Sequence, residues 1–123
     1  KLYHRRCHIL LEKGLKGELD YILSLNPIVV VEVFSALRRL LNWSEAEFRT
    51  GSLLRSKRIA FLSISREASQ NSVRWAKEKN VPVNDTIIGA NMVEQANLIY
   101  TIDEEHFKKL EEYGVKIFNP IKL

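Results

Sequence analysis

The chain has 123 residues, of which 46% are hydrophobic and 28% charged, an ordinary composition for one soluble globular domain. No apolar run approaches the roughly 20 residues that a membrane span requires, so a membrane-spanning class is not expected. No signal peptide is visible in the basic, polar opening KLYHRRCH. The net charge of +4 favours a polyanionic partner only weakly, because solvated basic helix faces give the same balance.

The N-terminal third of the chain predicts a helix, a strand and a second helix. Leu2–Lys13 mixes apolar and charged residues and is followed by glycines, which is typical of a helix and its end. LDYILSL, residues 19–25, is typical of a strand. Asn26 and Pro27 predict the N-cap and first position of a helix that runs to about Leu41.

Cys7 is the only cysteine, which excludes an internal disulfide and favours a reducing cytoplasm as the location. With His4 and His8 it offers too few ligands, at unsuitable spacing, to predict a zinc site.

The rest of the chain predicts strands that alternate with helices. Ser44 and Glu47 have the spacing of a capping box, so a short helix is expected to begin at Ser44. Asn84 or Asp85 is predicted to cap a later helix. The further predicted elements are strands at 59–64, 98–102 and 115–118 and helices at 65–79 and 103–114.

This alternation predicts a single domain over residues 1–123 with a three-layer α/β/α fold and a mostly parallel central sheet. Ligands of such folds bind at the carboxyl ends of the strands. Asp103 directly follows a predicted strand, and Asp85 and Glu32 lie on helices that can begin at the same edge. Three carboxylates from separated segments are therefore expected to converge.

Converging carboxylates repel one another unless a cation neutralises them. Clusters of carboxylate oxygens suit Mg²⁺ or Mn²⁺, and such an ion can assist the cleavage of a phosphodiester. Basic residues at Arg38, Lys57 and Arg58 would then contact a nucleic-acid backbone.

Each acid also has a structural explanation. Asp85 and Asp103 stand where a helix N-cap is expected, and alone each is better explained as a cap. Glu32 interrupts the apolar run IVVVEVF, where helical spacing predicts a position beside core residues and an unpaired carboxylate is costly.

Three segments resemble the PIN domain, the domain of VapC-type ribonuclease toxins and many archaeal nucleases. They are NPIVVVEVFSAL (26–37), VNDTIIGANMVEQANLIYTIDEEHF (83–107) and VKIFNP (115–120). The middle segment is the most specific, with an Asp that opens a helix of the form D-x-x-I-x-A, an apolar strand, and Thr-x-Asp followed by Phe. Gly89 stands where relatives often carry Ala.

The resemblance implies a Mg²⁺- or Mn²⁺-dependent endoribonuclease whose metal is held by four acids. Carried over to this sequence, three of these acids are Glu32, Asp85 and Asp103, with Glu104 as a possible further ligand and Thr101 as a supporting hydroxyl. If the protein is the toxin of a toxin–antitoxin pair, an antitoxin would cover the acid pocket. Homodimers are also usual in the family.

The chain departs from the family at its start. PIN domains begin with a strand that carries the first acid, whereas this chain opens with YHRRCHILLEKG (3–14), which resembles the next helical region. Either the strand is absent from this 123-residue chain but belongs to the protein, which we expect, or the protein lacks it. The nuclease prediction requires that the missing acid is supplied.

Two alternatives remain open. One is a catalytically inactive PIN-like domain that binds RNA or a protein. The other, ranked low, is a receiver-like signalling module, which would need paired acids after its first strand and a lysine after its last, whereas Lys116 lies within the predicted strand.

Overall fold

The structure, a computed structural model, describes residues 2–101 and 103–119, and the side chains of residue 9 onward apart from Ile102. The side chains of His4, Cys7 and His8 and the predicted strand residue Ile102 therefore lie outside the described part. Among the described residues, no helix has both the length and the apolar character needed to cross a membrane.

Helices dominate the described part of the chain, which contains six α-helices and four short strands. The helices are α1 (Leu2–Lys16), α2 (Pro27–Leu40), α3 (Trp43–Arg55), α4 (Arg66–Lys79), α5 (Val83–Gln95) and α6 (Glu104–Lys108). The strands are β1 (Leu23–Leu25), β2 (Ile59–Phe61), β3 (Ile99–Tyr100) and β4 (Ile117–Phe118), and a 3₁₀ turn spans Glu111–Tyr113.

The four strands form two separate parallel pairs, β1 with β2 and β3 with β4. The predicted three-layer α/β/α fold with a mostly parallel central sheet is therefore wrong for the described residues. The strands are only two or three residues long, and each pairs with a single neighbour. Residues 19–22 and 62–64, which were predicted as strand, have no regular structure, and they leave too little extended backbone for a continuous sheet.

The chain divides into two compact units, which we call the N-terminal unit (Ile9–Ser63) and the C-terminal unit (Ile64–Leu123 with Lys1–His8). The prediction of one domain over residues 1–123 stays a prediction.

The N-terminal unit contains the part of α1 from Ile9 onward and a pair of helices, α2 and α3, beside the β1–β2 pair. The predicted start of α2 is confirmed, since the Asn26 side chain accepts a hydrogen bond from the Val29 N–H at 2.9 Å and Pro27 is the first helical residue. The capping box at Ser44 is wrong, because Asn42 caps α3 by accepting from the Glu45 N–H at 2.8 Å. Asn42 starts the helix two residues earlier, and Ser44 is left inside it.

The C-terminal unit is built around α4 and α5, which pack along each other. Thr86 is fully buried, and its hydroxyl donates to the Ser72 carbonyl at 2.8 Å, joining the two helices. The hydrophobic core of this unit includes Ala68, Trp75, Val81, Ile88, Ala90, Met92, Phe107, Leu110 and Val115. Burial of this apolar surface fixes the position of α5, whose first turn carries Asp85.

Gly89 allows α5 to approach the core closely. A Cβ at this position would lie 3.1 Å from Val115 Cγ2 and 3.2 Å from Leu110 Cδ1, and both neighbours are buried. Gly51 in α3 differs, because a Cβ there would meet the guanidinium of Arg55, the mobile end of an exposed side chain, at 2.8 Å.

We expect opposite effects on stability from alanine at these two glycines. Gly51→Ala should raise the free energy of unfolding by about 0.5–1 kcal/mol, because alanine is the better helix former and Arg55 can move away. Gly89→Ala gains the same helical preference, but crowding a packed core costs about 1–3 kcal/mol, so stability should fall by about 1 kcal/mol. Urea unfolding of both variants measures the difference. A higher free energy of unfolding for Gly89→Ala would contradict this prediction, because it would show that the side chains of Val115 and Leu110 shift to accommodate the added Cβ.

Candidate metal centre

Asp85 lies in the first turn of α5, where a capping role was predicted. That prediction is wrong. The N-cap residue of α5 is Pro82, and no side chain caps this helix. Instead the Asp85 carboxylate reaches α6, where its Oδ2 lies 2.8 Å from Nδ1 of His106. The side chain of Asp85 is 17% exposed and that of His106 is 32% exposed, so the contact is partly shielded from water.

Asp103 precedes α6 as its N-cap residue, but its side chain makes no capping hydrogen bond. Its carboxylate Oδ2 lies 3.4 Å from Nδ1 of His106. The hydroxyl of Thr101 accepts a hydrogen bond from the backbone N–H of Asp103 at 3.0 Å and so fixes the turn between β3 and α6. Thr101 therefore orients the backbone of Asp103, which suits the supporting role predicted for it.

Asp85, Asp103 and His106 each offer one ligand atom, and these atoms lie within 4.8 Å of one another. Asp85 comes from α5, Asp103 from the turn that follows β3, and His106 from α6, which packs against α5. The two aspartates predicted to converge do so within the C-terminal unit. The explanation that they serve only as helix caps fails for both side chains.

Burial raises the pKa of the Asp85 carboxyl above its ordinary value of 3.8, because the charged form loses hydration. The hydrogen bond and the positive charge of His106 act in the opposite direction, and the nearby charge of Asp103 adds to the increase. The pKa of Asp85 rises because the loss of hydration outweighs the effect of His106 on the ionised form. A bound cation would favour the ionised form.

The donor set of two carboxylates and one imidazole suits a divalent cation. Carboxylates are preferred ligands of Mg²⁺ and Mn²⁺, whereas imidazole favours transition metals. The mixed set therefore fits Mn²⁺ better than Mg²⁺, and three protein ligands leave positions for water or phosphate oxygens. Nδ1 of His106 contacts both carboxylates, so coordination through this atom requires it to be unprotonated.

The other two predicted ligands, Glu104 and Glu32, are not among the three described residues that converge. Glu104 is the first residue of α6, and it lies 3.8 Å from the Lys108 ammonium; it is not one of the three residues that converge. Glu32 lies in the middle of α2 in the N-terminal unit, and its side chain is exposed. The prediction that Glu32 sits among core residues is wrong, because α2 has no buried residue.

The three predicted nucleic-acid contacts all belong to the N-terminal unit. The guanidinium of Arg38 stacks on Trp43 at 4.2 Å and donates to the Leu41 carbonyl at 2.8 Å. Lys57 and Arg58 precede β2 and line a cavity.

His106 was not predicted from the sequence. A signal for it does exist, because residues three apart share a face of a helix, and His106 stands three positions after Asp103 at the start of α6.

A comparison with protein-family models finds no match for this chain, and a comparison with curated proteins finds none either.

We expect Asp85→Asn to stabilise the metal-free protein at about pH 7. The folded state holds the Asp85 proton to higher pH than the unfolded state, so this proton contributes stability at low pH, and the contribution is lost as pH rises through the folded pKa. Asparagine cannot ionise and avoids this loss. Thermal unfolding in EDTA should show a gain in Tm at about pH 7 that shrinks as the pH falls towards 3.8.

Glu105→Gln is the matched control, since Glu105 is an exposed acid on α6, and it should leave Tm nearly unchanged at both pH values. A lower Tm of Asp85→Asn at neutral pH would contradict the dominance of burial at Asp85.

The mixed donor set predicts that His106→Ala discriminates between cations. Loss of the imidazole should weaken Mn²⁺ binding by about tenfold or more and change Mg²⁺ binding much less. Isothermal titration of each ion into the wild-type and variant proteins measures both affinities. Equal losses for the two ions would show that His106 acts only by positioning the carboxylates.

Proposed function

We propose that this chain is a metal-dependent endoribonuclease domain of the PIN type, with Asp85 and Asp103 as metal-binding acids. The observation that supports this most strongly is the contact of both carboxylates with His106. These are two of the three acids that the resemblance assigns to the site. They lie 18 positions apart in the sequence, and neither is used as a helix cap. RNA is the proposed substrate, in keeping with the net charge of +4.

Mn²⁺ or Mg²⁺ would be held by Asp85 and Asp103, with His106 as a third ligand. When bound, such an ion can lower the pKa of a water molecule and stabilise the negative charge that develops on the phosphate. Other contacts hold the metal ligands in place. Thr101 fixes the backbone of Asp103, and the packing of α5 against α6 fixes Asp85 beside His106. The more buried Asp85 lies in the less hydrated part of the site, where charge interactions are stronger.

The biological setting is part of the same proposal. A cytoplasmic protein meets RNA under reducing conditions, which suits a chain with a single cysteine. The narrower form of the proposal is the toxin of a toxin–antitoxin pair that acts as a homodimer. In that form the antitoxin would bind over Asp85 and Asp103.

The proposal predicts cleavage of single-stranded RNA that requires Mn²⁺ or Mg²⁺. Asp103→Asn and Asp85→Asn should each reduce the cleavage rate by roughly 100-fold or more, because each removes a ligand charge. Glu105→Gln, two residues from Asp103 on the exposed side of α6, should retain most of the activity. Gel analysis of a labelled RNA with added Mn²⁺ or EDTA measures the rates. Cleavage that survives both EDTA and Asp85→Asn would sink the proposal.

The second candidate is an inactive PIN-like domain that binds RNA or a protein. The number of acids in the cluster favours it, because three carboxylates were expected and the group found among the described residues has two. This candidate predicts RNA binding without cleavage under every metal condition, and unchanged binding for Asp103→Asn. The same labelled RNA, followed by fluorescence anisotropy, separates the two candidates.

A further inference from the structure

A cavity of about 340 Å³ opens in the N-terminal unit, in a size range used for small ligands. It lies at the amino ends of β1 and β2, because its walls come from the segment that precedes β1 and from the turn that precedes β2. Tyr21 and Ile22 supply apolar surface to its lining, and Lys57 and Arg58 supply two cations.

The absence of a side chain at Gly17 determines where Arg58 can lie. A Cβ at Gly17 would collide with the Arg58 guanidinium, so the guanidinium occupies the space directly over this residue. Gly17 has a φ of +73°, which favours glycine there in any case. The backbone that ends α1 therefore makes room for a cation at the cavity wall.

Lys57 and Arg58 form no ion pair with a carboxylate of the described residues. Several other basic side chains do form one, as Arg49 does with Glu45 and Lys108 with Glu104. The nearby acids Glu18 and Asp20 are exposed and are not among the residues that line the cavity. The positive charge at this wall is thus available to an anionic ligand.

The carboxyl end of α1 also faces the cavity, and a helix C-terminus carries partial negative charge. Two of its carbonyls are already satisfied: the Gly17 N–H donates to the Gly14 carbonyl at 3.2 Å, and the Glu18 N–H donates to the Lys13 carbonyl at 2.9 Å. The Gly14 and Lys13 carbonyls are therefore not unpaired acceptors at the cavity wall.

Apolar and aromatic surface lies open to solvent beside these cations, with Tyr21 45% exposed and Ile22 76% exposed. A planar base stacks on an aromatic ring, and a phosphate binds Lys and Arg, so a ligand that carries both groups can contact both kinds of lining residue. We propose that this cavity binds a nucleotide, with its phosphate at Lys57 and Arg58 and its base against Tyr21. The proposal goes beyond the nuclease function and does not depend on Asp85 or Asp103.

The test compares adenosine 5′-monophosphate with adenosine, titrated into the full chain in EDTA and followed by NMR chemical shifts. The wild-type protein should bind the monophosphate about tenfold more tightly or better, because charge-assisted hydrogen bonds to the phosphate are strong. The double variant K57Q/R58Q should lose this preference. Tyr21→Leu should weaken both ligands about fivefold and keep the preference. The preference is the ratio of the affinities for the monophosphate and for adenosine, so a general loss of protein stability affects both affinities and leaves the ratio unchanged.

Lys77→Gln with Lys109→Gln is the matched control, since it removes the same charge from exposed lysines of the C-terminal unit and should preserve the preference. Competition with a short oligoadenylate RNA shows which form of nucleotide the site accepts. Displacement of the monophosphate indicates a nucleotide within a strand, and no displacement indicates free nucleotides only. Both results support the proposal. Equal binding of adenosine and its monophosphate, or a preference that survives in K57Q/R58Q, would overturn it. Inorganic phosphate binding as tightly as the monophosphate would contradict the contact with the base.

Discussion

The 2.8 Å contact between the Asp85 carboxylate and Nδ1 of His106 is the interaction on which the candidate site depends. It brings the first turn of α5 to α6 and places a second carboxylate, that of Asp103, 3.4 Å from the same nitrogen. Two aspartates held this close repel each other unless a positive group lies between them. His106 occupies that position when protonated, and a divalent cation would neutralise the pair more completely.

The packing of the C-terminal unit makes this arrangement possible. Gly89 lets α5 lie against Leu110 and Val115, and the pairing of Ile99 with Ile117 fixes the strand from which Thr101 and Asp103 follow. This packing partly buries Asp85, and the loss of hydration is the main cause of its raised pKa. A carboxylate whose pKa is perturbed by burial beside a specific charged partner is a candidate for a functional residue.

Local rules predicted much of the secondary structure but little of its assembly. Asn26 and Pro27 start α2 as expected, because a cap depends on a few neighbouring residues. The rule failed at Ser44, where Asn42 was an equally good cap two residues earlier. Strand pairing depends on distant segments, so periodicity overestimated the strands and wrongly predicted a central sheet. Convergence of Asp85 and Asp103 was predicted from a shared sheet edge and from the resemblance, and the two residues converge although the described strands form two separate pairs. His106 was missed, although its spacing of three from Asp103 was a signal.

Anomalous scattering from a crystal grown with Mn²⁺ tests directly whether Asp85 and Asp103 bind a divalent cation. We expect an anomalous peak within about 2.5 Å of a carboxylate oxygen of both Asp85 and Asp103, and loss of that peak in Asp103→Asn. A well-ordered site without a peak, or a peak held by other residues while the Asp85–His106 contact persists, would contradict it.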